Sequence, residues 1–165
     1  MKWWLVTFVT HNARVSARMA AFHVKKGEPV ILGPDDLRLI ARTIVEACRQ
    51  HRIPILAGNV LPDHVHLIVG AASPKELTEH IRKIKGNSAR EFVQTRDFPA
   101  GDHVWAQKFN RRPLPNPSSL AAAMTYIERN HYKHVERWGA EVITTYEEAV
   151  RPVFEPYTHA FRCEV

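Results

Sequence analysis

Cysteine, glycine and long apolar runs are all scarce in this 165-residue chain. Its two cysteines, Cys48 and Cys163, are too few for a disulfide framework and cannot by themselves make a thiolate metal site, so a reducing, cytoplasmic setting is expected. The seven glycines form no phosphate-cradling loop, and no nucleotide cofactor is expected. Apolar stretches such as residues 3–9 and 67–72 fall far short of the roughly 20 residues a membrane-spanning helix needs. The opening Met1-Lys2-Trp3-Trp4 leads into only a brief apolar stretch without a small-residue cleavage site, so neither a membrane span nor an export signal is expected. With 45% apolar and 24% charged residues, the composition is that of one ordinary globular domain and not of a disordered chain.

Acidic residues are few where the chain is basic. Residues 1–74 carry nine Lys or Arg against five Asp or Glu, and residues 75–133 carry eleven against six. The balance inverts over residues 134–165, with three against six, so the basic surplus behind the chain's net charge of +6 lies in the first 133 residues. Such a surface favours a polyanion, because lysines and arginines release counterions from a phosphate backbone. Charge alone is equally a solvated cationic surface.

The hydropathy pattern orders the elements. Residues 3–10 are β-branched and aromatic and read as a buried strand. Residues 11–33, with Lys25, Lys26, Gly27 and Pro29, read as a mostly irregular connection with a short strand over 29–33. Pro34-Asp35-Asp36 caps an amphipathic helix to about Gln50, carried by Leu37, Ile40, Ala41, Ile44, Ala47 and Cys48. Residues 53–60 and 63–70 read as a hairpin across Leu61-Pro62. Ser73-Pro74-Lys75-Glu76 is a capping box for a helix ending at Gly86, with a second short helix over residues 88–93. Residues 103–112 read as a strand and Pro113, Pro115 and Pro117 as breakers, before a helix from Ser118 or Ser119 to about Val135. The remainder reads as an acidic extension with a strand over 142–146 and with Pro152 and Pro156 as breakers. This order predicts an α+β, ferredoxin-like (split βαβ) sandwich, an antiparallel sheet with helices on one face and the other face free for a site. The domain expected over residues 1–135 is then followed by an appendage over 136–165.

Three groups of residues point to chemistry. In Asp63-His64-Val65-His66-Leu67-Ile68, strand alternation places His64 and His66 side by side on one face and Val65 and Leu67 on the other. Two imidazoles so placed can share a divalent cation, and polar rings are out of character in a core strand. In the last helix, Leu120, Met124, Ile127 and His131 form the core-facing stripe, while Tyr126 and Asn130, four apart, share one shoulder and Tyr132 takes the other. The third group is Arg82, Lys83, Lys85 and Arg90 around Gly86, Asn87 and Ser88, followed by Lys108, Arg111 and Arg112. A basic helix-break-helix of this kind can lie along a phosphate backbone, or be no more than a solvated helix face.

Taken together, the Asp-His-Val-His block, Lys83-Ile84-Lys85-Gly86-Asn87-Ser88, Trp105 and Tyr126-Ile127-Glu128-Arg129-Asn130 resemble the single-tyrosine transposases of the HUH endonuclease superfamily, of the insertion-sequence and REP-associated type. The similarity runs over approximately residues 3–133. It implies that His64, His66 and Asn130 bind catalytic Mg²⁺ or Mn²⁺ and that Tyr126 attacks single-stranded DNA to give a 5′-phosphotyrosine and a free 3′-hydroxyl. It also implies recognition of DNA hairpins and a homodimer, with the third group as DNA-binding residues. The alternative is a domesticated single-stranded nucleic-acid-binding protein without strand transfer, which the presence of Tyr126, His64 and His66 disfavours. A histidine-based RNA phosphoesterase would need a second His-x-Ser/Thr, and none is present.

Overall fold

A computed structural model of the chain describes residues 1–14, 17–23, 27–99 and 102–164, without the side chains of 17, 18 and 162–164. Lys25, Lys26 and the Cys163 side chain lie outside these described residues. Strand β1 (Lys2–Val9) leads through the short helix α1 (Ala17–Ala21) to helix α2 (Pro34–His51), then to strands β2 (Ile55–Leu61) and β3 (His64–Ala71). Helix α3 (Pro74–Arg96), strand β4 (Asn110–Leu114) and helix α4 (Pro117–Arg129) follow. The strands form one antiparallel sheet in the order β2-β3-β1-β4, which is that of the ferredoxin-like sandwich the hydropathy pattern predicts.

Alternation in β1 builds the principal core. Trp4, Val6 and Phe8 are buried and join Val65, Leu67 and Val69 of β3 beneath α2 and α3, whose inward stripes include Ile40, Ile44, Leu77, Ile81 and Ile84. The opposite face, expected free, carries α4: Leu120, Ala123, Met124 and Ile127 pack on Leu56, Ile68 and Leu114, with Trp3 and Leu5 half-buried alongside. Asn59 on β2 donates from Nδ2 to the Ile127 carbonyl at 3.0 Å, a buried bond that ties α4 to the sheet.

Several local expectations are corrected. The helix expected to break at Gly86 runs unbroken from Pro74 to Arg96, because Gly86 faces open space and Ser88 returns its hydroxyl to the Ile84 and Lys85 carbonyls. Residues 29–33 form no strand; Val30 and Leu32 donate only single bonds, to His11 and Pro62 carbonyls. The predicted strand over 103–112 is cut down to β4, preceded by an isolated bridge between Thr10 and Trp105. Trp105 is held there by its indole N–H to Ser88 Oγ at 3.0 Å and by the edge of Phe8. Pro113 lies within β4, which an edge strand tolerates because a missing N–H need not break a ladder.

The helix expected to continue to Val135 instead tightens at Asn130 into a 3₁₀ turn (Asn130–His134), followed by α5 (Val135–Trp138). Beyond it the expected strand over 142–146 is helical: α6 (Glu141–Thr145), a π turn (Tyr146–Val150) and α7 (Arg151–Glu164) run on without interruption. In the π turn Arg151 donates its N–H to Tyr146, five residues back, which sets the register in which Pro152, without an N–H, follows. This segment packs through apolar residues and not through its acidity. Val150 and Phe154 enter the principal core, and the Phe154 ring fills the space where a Cβ on Gly58 would stand.

Candidate active site

β3 lies between β1 and β2, so His64 and His66 stand at the centre of the sheet, on the face that α4 covers. His66 pairs in register with Thr7 on one side and Asn59 on the other. Both imidazoles are buried, with ring centroids 4.8 Å apart and nearly perpendicular.

Each ring is anchored through Nδ1. His64 Nδ1 donates to Asp63 Oδ1 at 2.6 Å, and His66 Nδ1 shares a hydrogen bond with the Thr7 hydroxyl at 2.8 Å. Burial works against the Asp63 anion, yet the hydrogen bond from His64, together with the charges of His64, Arg137 and Arg14, holds its carboxyl below the usual range. Burial, and then the neighbouring His64, His134 and Arg14 charges, push His66 down to about 3, so its imidazole is neutral at physiological pH.

Asn130, 1% exposed, presents Oδ1 to His64 Nε2 at 3.5 Å, too long for a good hydrogen bond. With Nδ1 committed to Asp63, His64 turns Nε2 toward the Asn130 amide oxygen, and the Asn130 side chain also hydrogen-bonds His66, so imidazole nitrogens and an amide oxygen converge in a buried site. Such a convergence of nitrogen and oxygen atoms is one a divalent cation can occupy. Among the described residues no group of three or more His, Cys, Asp or Glu is arranged to hold a metal. The set here is two imidazoles and an amide oxygen, nitrogen and oxygen donors that suit a hard or borderline divalent ion.

Tyr126 is half-buried, its ring 5.2 Å from that of His66. Thus Tyr126, His64, His66 and Asn130 are brought together, with Tyr126 and Asn130 on the shared shoulder the helical period predicts. Tyr132 is half-exposed and points elsewhere, against His131, whose other face stacks on Tyr146 at 4.0 Å.

The 3₁₀ turn and α5 add residues that sequence reasoning missed. Lys133 Nζ stands 4.6 Å from the Tyr126 ring centroid, the His134 ring 4.8 Å from that of His64, and Arg137 Nη1 2.8 Å from Asp63 Oδ2. Asp63 adjoins His64, and Thr7 is a polar break in an apolar strand, so a signal existed for both. None existed for Lys133, His134 or Arg137, whose positions depend on the tightening of the helix at Asn130.

The predicted DNA-binding residues are dispersed. Ser88 is buried with its hydroxyl engaged by Trp105 and the α3 backbone, so it offers nothing to a phosphate. Lys85, half-buried, donates to the Ala106 and Gln107 carbonyls, and desolvation lowers its pKa. Arg82, Lys83, Asn87 and Arg90 line a shallow cavity with Gln50 and His51, on helices that cover the face opposite the histidines. There Arg82 pairs with Glu79, and Arg90 donates to Asn87. Arg111 donates to Pro74 and Thr78 of α3. Lys108 is exposed in the loop before β4. Arg112, opposite Leu5 in register, shares the site face with Thr7 and is exposed.

No helix among the described residues is long and apolar enough to cross a membrane. The chain is 28% identical to the ISDra2 transposase TnpA of Deinococcus radiodurans over 116 residues, 67% of this chain and 80% of that protein. Its fold is similar to a structure of a REP-associated tyrosine transposase bound to a REP hairpin, with a TM-score of 0.52 and 20% identity over 81% of this chain and 68% of that one. The IS200-like transposase family model matches residues 20–130, a span that takes in His64, His66, Tyr126 and Asn130, and the chain therefore belongs to that transposase family.

Proposed function

We propose that this transposase cleaves and rejoins single-stranded DNA through a covalent tyrosine intermediate, with a divalent cation, Mg²⁺ or Mn²⁺, held by His64, His66 and Asn130. The observation that carries the reading is the opposition of His64 Nε2 and Asn130 Oδ1 at 3.5 Å, beside a neutral His66 and with Tyr126 across the same pocket. When bound, the cation would polarise a non-bridging oxygen of the scissile phosphate and offset its charge.

The chain's own residues supply the rest. Asp63 and Thr7 fix the two imidazoles through Nδ1, leaving Nε2 as the donor on each. Tyr126 attacks phosphorus as its phenol proton leaves, the bond from phosphorus to the 3′-oxygen breaks, and that oxygen departs as a 3′-hydroxyl. A 5′-phosphotyrosine remains, and reversal with another 3′-hydroxyl rejoins strands without an external energy source. Lys133, a cation over the Tyr126 ring, favours both the phenolate and an incoming phosphate.

In this reading residues 1–135 carry the chemistry and residues 136–165 brace them, and the substrate is single-stranded DNA with hairpins. Arg112 is the predicted cation best placed to receive the strand that enters the site, while the cavity over α2 and α3 would take DNA on the far face. The homodimer that the family resemblance implies is part of this reading, with Tyr126 5.2 Å from His66 of its own chain.

The test is incubation of the protein and of Tyr126→Phe with Mn²⁺ or Mg²⁺ and end-labelled single-stranded oligonucleotides tiled across the DNA flanking its gene, resolved on a denaturing gel. A labelled protein–DNA adduct lost in Tyr126→Phe and lost with a chelator is expected. Cleavage persisting in Tyr126→Phe would show a different nucleophile, and retarded complexes on a native gel without an adduct would favour a binding protein.

A further inference from the structure

Asp63 is 1% exposed, a carboxyl buried beside His64. A buried carboxylate is tolerated only where its charge is met. Here it is met at both oxygens: Oδ1 accepts from His64 Nδ1 at 2.6 Å, and Oδ2 accepts from Arg137 Nη1 at 2.8 Å. Arg137 lies on α5, after the span that the family model matches.

We propose that Arg137 is a positioning residue for His64, acting through Asp63, so that the segment after α4 completes the metal site of its own chain. The inference rests on the reading of His64 as a ligand. A carboxylate tethered at one oxygen can still rotate, whereas tethered at both it presents a fixed acceptor to His64. That acceptor keeps the proton on Nδ1 and turns Nε2 toward Asn130 Oδ1. The same segment holds the opposite donor, because Asn130 opens the 3₁₀ turn whose next residue, His131, stacks on Tyr146. Both sides of the ligand set therefore depend on residues after Arg129. Arg137 also lies over the Trp138 ring, 4.5 Å from its centroid.

Mn²⁺ binding to the full chain without DNA, read from the free-ion electron paramagnetic resonance signal, tests this in the wild type and in His64→Ala, Asp63→Asn, Arg137→Gln and Arg137→Lys. Arg137 is 55% exposed at its side chain, so its replacement should leave the fold intact, with far-UV melting as the check. Loss of an outer partner of a metal-ligating histidine weakens binding about 10- to 100-fold, and Asp63→Asn should fall in that range. Arg137→Gln should reach about tenfold. Arg137→Lys should recover most of the affinity, because the contact is a single N–H to one oxygen that an ammonium can replace.

A wild type that binds no Mn²⁺, or a His64→Ala variant that binds as well as wild type, would sink the ligand reading itself. Normal binding by Arg137→Gln, with His64→Ala abolished, would overturn the role of Arg137 alone. Equal weakening in Arg137→Gln and Arg137→Lys would overturn it too, because charge at Asp63 would then not be what matters. Asp63→Asn reads the same link from its other end should Arg137→Gln melt early.

Discussion

Val65, Leu67 and Val69 turn from β3 toward α2 and α3 and are fully buried among aliphatic side chains, whereas His64 and His66, from the same strand, turn toward α4 and the 3₁₀ turn. One face is held by area removed from water, the other by polar groups that satisfy or oppose one another. Substitutions on the first face should act through stability and those on the second through chemistry. The backbone beneath them is shared, so neighbouring residues separate the two effects cleanly.

The sharpest test pairs Leu67→Ala with His66→Ala. Leu67 is fully buried, and its truncation should cost about 2–5 kcal/mol in urea or thermal unfolding, with adduct formation retained by the folded protein. His66→Ala should abolish the adduct while costing clearly less, because it removes a ring already crowded by the charges of its neighbours. A larger loss of stability in His66→Ala would break the contrast.

A smaller effect is expected at Ser88, which the sequence motif assigns to DNA and the structure assigns to the core. Ser88→Ala should cost about 1–3 kcal/mol, since the buried indole N–H of Trp105 loses its acceptor. Affinity for a single-stranded oligonucleotide, by fluorescence anisotropy, should stay at the wild-type level. A drop in affinity without a drop in stability would return Ser88 to the DNA.

The smallest effect is a pH dependence from Lys85. Desolvation lowers its pKa in the folded protein below the ordinary value of about 10.4 that it keeps when unfolded. The unfolded chain then binds more protons across the window just below that value, so stability gains from this group as pH rises through it. Lys85→Arg keeps donors for the Ala106 and Gln107 carbonyls but does not titrate, and should flatten that part of the stability profile. An unchanged profile would remove Lys85 as its source.

Much of the fold was legible locally. Leu37, Ile40, Ala41, Ile44, Ala47 and Cys48 marked α2 to within a turn, and strand alternation separated His64 and His66 from Val65 and Leu67. The misses were those in which a distant partner overrode a local signal. Gly86 read as a break, yet it faces solvent on a helix whose inward side is anchored on either flank by Ile84 and Ser88. Residues 142–145 are all β-branched, but Val142 and Tyr146 bury against the domain as successive turns of a helix. The basic cluster was legible as charge and not as place, because no local pattern says which sheet face a helix will cover.

Period and alternation act between residues a few positions apart, so the chain alone determined the class of fold, the facing pair His64 and His66, and the common shoulder of Tyr126 and Asn130. Strand order and helix docking join residues far apart along the chain. They decided that α4 covers the histidine face, that Arg112 shares this face while Arg82 and Lys83 do not, and that Arg137 reaches Asp63. The physical reason is that side-chain direction is set within one turn or one pleat, whereas a meeting of β1, β3, α4 and α5 needs the whole core in place before any of their polar groups can find a partner.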